Sequence, residues 1–135
     1  MRNRAALFLA ALLVPAAAAA AEVQVEGRWV LDPALSLVTL TANNAASPAE
    51  AAQVVALFRD AEIRFKGGNA QISVGPLPVT CGWTWGEGRE IRLTACKDKR
   101  QQPAPAGPVR LELGTDGALR YVEDGGSALA FKPAR

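Results

Sequence analysis

Histidine is absent from the 135 residues, and cysteine occurs only twice. The first absence excludes imidazole general bases, histidine metal sites and a proximal-histidine haem. The second leaves no CxxC and no further cysteine pair, so neither a thiolate metal site nor a redox dithiol is expected. Tyrosine and methionine occur once each. No permanent membrane span is expected: the apolar run Ala5 to Val14 is half the ~20 residues that a spanning helix needs. No cofactor is expected from this inventory.

What is present begins with a leader. Arg2 and Arg4 precede that short apolar run, Pro15 breaks it, and small residues follow up to Ala19-x-Ala21. This order reads as a cleaved signal peptide over 1–21, with Glu22 as the first mature residue. No cysteine stands at the cleavage point for lipid attachment, so the product is expected to be soluble. It is a single domain, 22–135, exported to the periplasm or beyond it. Alanine-rich, arginine-over-lysine usage has a bacterial look. The leader takes two of the 15 basic residues and none of the 13 acidic ones, so the formal charge of +2 becomes zero. Without a positive field, nucleic acid and anionic membranes lose their main attraction.

Val23, Val25, Gly27, Trp29 and Leu31 alternate on one face and predict a first strand ending at Asp32-Pro33. Residues 34–46 read as irregular. Ser47-Pro48-Ala49-Glu50 combines a capping box with proline at the first helical position, and Ala51, Val54, Val55 and Phe58 follow at helical spacing. One helix is expected over roughly 48–59. The rest is a ladder of short alternating segments. Turns at Gly67-Gly68-Asn69, Gly86 to Arg89, Thr115-Asp116-Gly117 and Asp124-Gly125-Gly126 separate them, and Gly75 to Pro78 makes a corner. Val109, Leu111 and Leu113 lie on the strand after the polar, proline-rich loop 97–108, which is expected to be mobile. The whole predicts a mainly β fold: a small up-and-down antiparallel β-barrel of about eight strands with one helix after the first, since closure removes sheet edges.

Strand parity bears on function. With Ile63 and Phe65, Ile91 and Leu93, Leu111 and Leu113, and Leu119 and Tyr121 pointing inward, Arg64, Arg92, Arg110, Glu112 and Arg120 point out. The interior then carries no strand-borne charge, and its polar groups reduce to the Tyr121 hydroxyl and the Trp29 indole N–H. A catalyst needs placed acids, bases or nucleophiles, so an enzyme is not expected. Asp32, Glu87 and Glu90 are the only carboxylates near turns that could converge as an acid/base pair, within about 5–10 Å of one another. An eight-stranded barrel is either filled by its own side chains or holds one small ligand. In the second case Trp29, Phe65, Ile91, Leu111, Tyr121 and Phe131 would line the lumen.

An exported chain with two cysteines is expected to join them. Cys81 and Cys96 flank the Gly88-Arg89 turn almost symmetrically, as a cross-strand staple would, and on the chain-entropy model a loop of this length stabilises by roughly 3 kcal/mol. Opposing the two cysteines also opposes Trp85 with Arg92 and Trp83 with Thr94, which separates the tryptophans from Ile91 and Leu93. Slipping the pair by one residue reunites those four and parts the cysteines. Either a single β-bulge reconciles both demands, or the two indoles lie outside as a contact patch.

Gly27-Arg28-Trp29-Val-Leu31-Asp32, followed by a helix and a meander, resembles the opening G-x-W phrase of the calycin superfamily, the lipocalins and their small secreted bacterial relatives. The resemblance implies a barrel whose first-strand tryptophan closes the floor under a basic side chain of the last strand, here Lys132 or Arg135. Cys81-Gly82 and Leu93-Thr94-Ala95-Cys96 also resemble part of the META domain of HslJ-type envelope proteins. The charge-free lumen fits an exported, non-enzymatic lipocalin-like barrel of unspecified role that binds a small apolar ligand. The alternative is a protein-interaction module of the bacterial envelope, a stress factor or an inhibitor of a secreted hydrolase. It would present Trp83, Trp85, Lys97, Arg100 and the 97–108 loop to an envelope protein.

Overall fold

The computed structural model describes residues 24–75, 77–104, 110–123 and 126–134. The expected leader 1–21, Val109, the second half of the 97–108 loop, the Asp124-Gly125 turn and Arg135 lie outside the described residues. Eight antiparallel strands close into a barrel in chain order, with the last paired to the first. They are β1 (Gly27–Leu31), β2 (Glu62–Lys66), β3 (Asn69–Ser73), β4 (Val79–Trp85), β5 (Glu90–Lys97), β6 (Arg110–Leu113), β7 (Leu119–Val122) and β8 (Ala128–Pro133).

Alternation sorts the side chains as the sequence pattern requires. Ile63 and Phe65 of β2 are buried while Arg64 and Lys66 face water, and Leu111 and Leu113 of β6 are buried while Arg110 is exposed. Outward charges pair along and across the surface: Arg28 Nε lies 2.6 Å from Glu62 Oε1, and Arg110 Nε lies 2.9 Å from Glu112 Oε1. Such exposed pairs each contribute less than ~1 kcal/mol. Inside, Phe65, Phe131, Ile63, Ile91, Leu111 and Leu119 are essentially inaccessible, and Trp29 and Leu129 pack in the same cluster. Ser36 is the only buried polar residue among those described. The lumen is therefore filled by its own side chains.

Three features depart from the sequence reading. The first strand begins at Gly27, with Gln24, Val25 and Glu26 outside it and Val23 outside the described residues. Gly27 has φ +115°, a conformation only glycine adopts readily, and it turns the preceding segment across the barrel end. Val25 there is buried, and its carbonyl accepts the Trp29 indole N–H at 2.9 Å.

Next, residues 34–46 are not irregular. Pro33–Thr41 forms helix α1, which a short 3-10 turn at Ala42–Asn44 ends, with Asn43 and Asn44 in the left-handed region. Asp32-Pro33 closes the strand and also opens this helix. The Asp32 carboxylate accepts from Leu35 N at 3.1 Å, and Pro33 occupies the first turn. The expected helix is present as α2, Pro48–Leu57, with the Ser47–Glu50 capping box formed in both directions at 3.2 Å. Leu40 of α1 and Ala51 of α2 are buried and, with Val54, Val55 and Phe58, plug one end of the barrel. We call this the helix end.

Finally, the start of the 97–108 loop is tightly organised, not loose. Asp98 Oδ1 accepts from Arg100 N at 2.8 Å and from Gln102 N at 3.0 Å, and Ala104 N donates to Cys96 O at 2.9 Å.

The β4–β5 hairpin resolves the cysteine register. Thr80 pairs with Lys97, but Gly82 pairs with Thr94, so Ala95 and Cys96 together oppose Cys81. Ala95, at φ +49°, is the extra residue of a β-bulge. The Cys81–Cys96 disulfide forms at the bulge, and beyond it Trp83 faces Leu93 and Trp85 faces Ile91.

Candidate functional site

Opposite the helix end lies the turn end. It carries the β2–β3, β4–β5 and β6–β7 turns and the segment before β1. Here β4 outruns its neighbour. Gly82 pairs with Asn69, the first residue of β3, so Trp83 and Trp85 stand beyond the last rung of the β3–β4 ladder.

The two indoles have different roles. Trp83 is half-buried and meets Phe65 edge-to-face, with ring centroids 5.3 Å apart. Its backbone N–H donates to Gly68 O at 3.1 Å, and its indole N–H donates to Gly67 O at 3.0 Å. These bonds tie β4 to the β2–β3 turn. Trp85 stands against Trp83 at 5.6 Å with the planes 85° apart, and 42% of it is exposed. The pair makes an aromatic corner whose inner wall is fixed and whose outer wall is open to solvent.

Gln24, Val25 and Glu26 complete a cleft of about 500 Å³ with Trp83, Trp85, Gly88 and Arg89. A neighbouring hollow of about 360 Å³ shares Gln24, Glu26 and Arg89 and reaches Trp29. Glu26 Oε2 accepts from Gly67 N at 3.3 Å. Arg89 Nη1 makes a long contact of 3.4 Å to Gly114 O. Among the described residues, neither Glu26 nor Arg89 takes part in an ion pair, so the cleft has one acidic and one basic wall, each bonded only to backbone.

The sequence-derived site residues separate clearly. Trp29, Phe65, Ile91, Leu111 and Phe131 come together in the packed core, with Tyr121 half-buried beside them. Burial, and secondarily Glu123, push the Tyr121 phenol upward. Trp83 and Trp85 meet at the turn end, whereas Lys97 and Arg100 lie toward the helix end. Lys97 is six residues along β5 from Ile91, the partner of Trp85, which is about 20 Å. The four do not form one surface. Lys132 pairs with Val30 and is exposed, on the face away from Trp29. Two described cations share a hollow with Trp29: Arg28, which pairs with Glu62, and Arg89 of the β4–β5 turn.

Among the candidate carboxylates, Asp32 caps α1 at the helix end, far from Glu87 and Glu90. Those two border a shallow hollow with Glu112, Arg89 and Arg120. Glu90 lies 3.6 Å from Arg92. At the same rim, Arg120 grips Asp116 with two bonds of 3.2 and 3.0 Å, and with Ala118 N it draws that carboxyl down to about 2. Among the described residues, no three metal-ligating side chains converge.

Sequence reasoning missed Glu26 and Arg89. Each reads as an ordinary solvated charge, and only barrel closure brings residues 63 positions apart to one cleft. The single available signal was that Arg89 occupies the turn directly after the Trp83/Trp85 pair. Comparison with known protein families, with curated proteins and with solved structures gives no match.

Proposed function

We propose that this chain is an exported, non-catalytic, lipocalin-like barrel that recognises its ligand at the turn-end cleft and not in its lumen. The observation that carries this reading is a contrast. Phe65, Leu111 and Phe131 fill the space where an apolar ligand would sit, while Trp85 is left open in a cleft with Glu26 and Arg89, which form no ion pair among the described residues. Large aromatics are ordinarily buried, and exposing one gains nothing for folding. Its neighbour Trp83 is anchored to the β2–β3 turn, so the corner is formed before any ligand arrives, which lowers the ordering cost of binding. Among the described residues no charged group is buried in the interior, and the reading assigns no catalytic residue. The disulfide supports an oxidising compartment and hence export.

Native mass spectrometry tests this on protein gently purified from its own host. A co-purifying mass present with the wild type and lost with Trp85→Ala supports the cleft. A mass retained by Trp85→Ala places recognition elsewhere.

A second reading, a protein-interaction module of the envelope, is favoured by Trp85 and Arg89 lining one cleft, since tryptophan and arginine are enriched at interface hot spots. In-cell crosslinking that captures a defined partner with the wild type, and not with Trp85→Ala, would select it. Lys97 and Arg100 are not part of that surface.

A further inference from the structure

We infer that the turn-end cleft takes a small zwitterion: an alkylated ammonium group seated in the Trp83–Trp85 corner beside Glu26, and an anionic oxygen group held by Arg89. The inference rests on the reading of this cleft as the recognition surface and names the ligand chemistry that fits it.

Three features point the same way. The indoles stand 85° apart with centroids at 5.6 Å, and both line the cleft, so they wall the corner on two sides. Ring faces carry negative potential and attract cations, most strongly those that are weakly hydrated, as alkylated ammonium groups are. Glu26 lines the same cleft. Its Oε2 is occupied by Gly67 N at 3.3 Å, which positions the carboxylate and leaves Oε1 for a ligand. Arg89 supplies the opposite sign. Its guanidinium has five donors in a planar fork matched to carboxylate or phosphate, and its one side-chain bond here is the 3.4 Å contact to Gly114 O.

Opposite charges that share a cleft without pairing with each other are bridged best by a ligand carrying both complements. A neutral sugar could hydrogen-bond both walls but would leave their charges uncompensated. A fatty acid would use Arg89, but its chain would need an apolar channel that the packed core does not provide. A polyanion would meet Glu26. The cleft, at about 500 Å³, is of ordinary small-molecule size. A free betaine-type solute and a phospholipid headgroup share this chemistry.

The test uses the chain exported with its own leader and labelled for observation of indole N–H resonances and tryptophan fluorescence. Glycine betaine and glycerophosphocholine are titrated against their halves, tetramethylammonium and inorganic phosphate, with maltose as the neutral control. Either zwitterion is expected to move the Trp85 indole resonance at least ~10-fold below the concentration needed for either half, because the two ends act as linked sites. In Trp85→Ala the Trp83 indole resonance, which shares the corner, no longer responds to either zwitterion. Glu26→Gln weakens the zwitterions and tetramethylammonium but not phosphate, and Arg89→Gln weakens the zwitterions and phosphate but not tetramethylammonium; unmoved methyl resonances of the buried Ile91, Leu111 and Leu119 report that each variant is folded. Phosphatidylcholine vesicles separate the sources. Co-sedimentation that glycerophosphocholine competes away assigns a headgroup, and no co-sedimentation assigns a free solute.

The inference is overturned if phosphate alone or maltose matches the zwitterions, or if neither zwitterion moves Trp85. If maltose moves Trp85 and the zwitterions do not, the cleft stands and the ligand class falls. If the zwitterions bind with Trp85 silent, the cleft falls too.

Discussion

The hydroxyl of Ser36 bonds the backbone of Ala130 in both directions. Oγ accepts from Ala130 N at 2.9 Å and donates to Ala130 O at 3.1 Å. β1 ends at Leu31, opposite Phe131, so Ala128 to Ala130 of β8, paired with β7 on one side, have no strand on the β1 side. Helix α1 takes the missing strand's place. Ser36 serves Ala130, Thr39 Oγ1 donates to Ala128 O at 2.7 Å, and Asp32 N donates to Ala130 O at 2.8 Å. An otherwise open edge is closed by side chains of a helix.

Ser36→Ala is therefore expected to destabilise the fold by about 1–3 kcal/mol, because it strands a buried N–H. Thr41→Ala removes a hydroxyl that bonds only within its own helix, at 2.7 Å to Leu37 O, and is expected to cost less than ~0.5 kcal/mol. Urea unfolding of both variants checks the contrast.

That helix also shows where sequence legibility stops. The strands were readable because period-two alternation is a local property, and α2 was readable because its capping box is contiguous. α1 was not. Its sequence PALSLVTLT mixes β-branched residues with an alternating Leu35-x-Leu37 pattern, and its stabilising partners, Ala128 and Ala130, lie about 90 residues away. The indole corner was half readable. The conflict between cysteine and tryptophan registers is visible in the sequence and required either a bulge or exposed indoles; the bulge at Ala95 is what the chain uses. Glu26 and Arg89 were unreadable as a pair because nothing short of barrel closure relates them.

Ala95 holds the bulge at φ +49°, a left-handed conformation that a Cβ disfavours. Ala95→Gly is expected to raise stability by about 0.5–1 kcal/mol and Ala95→Val to lower it. Thermal melting of the oxidised proteins measures both. Lower stability of the glycine variant would remove the bulge account.

The two tryptophans should separate energetically. Trp83→Ala deletes the contact with Phe65 and the bond to Gly67 O, and is expected to cost about 2 kcal/mol or more. Trp85→Ala should cost less than ~1 kcal/mol, since it is open to solvent. Equal losses in denaturant titrations would mean that Trp85 is structural as well.

Asp116 ionises well below the ordinary carboxyl range, at about 2, chiefly because Arg120 bonds its charged form. A depressed carboxyl pKa contributes stability above its unfolded value of ~3.9 and loses that contribution as pH falls through the folded value. The Arg120–Asp116 contribution is thus complete at neutral pH and disappears between roughly pH 4 and 2. It is small, under ~1 kcal/mol, because the pair is solvent-screened. Carboxyl carbon NMR should place the Asp116 midpoint near 2, and Arg120→Gln should move it back up.

The central claim is that this barrel is closed inside and recognises at its rim. Methyl NMR of Ile91, Leu111 and Leu119, read together with the Trp85 indole resonance, tests it most directly. Decanoic acid is the probe for the lumen and glycerophosphocholine the probe for the cleft. The account predicts that glycerophosphocholine shifts Trp85 and that the three buried methyl sets stay still with both compounds. Core methyls that move on adding decanoic acid while Trp85 stays silent would contradict it.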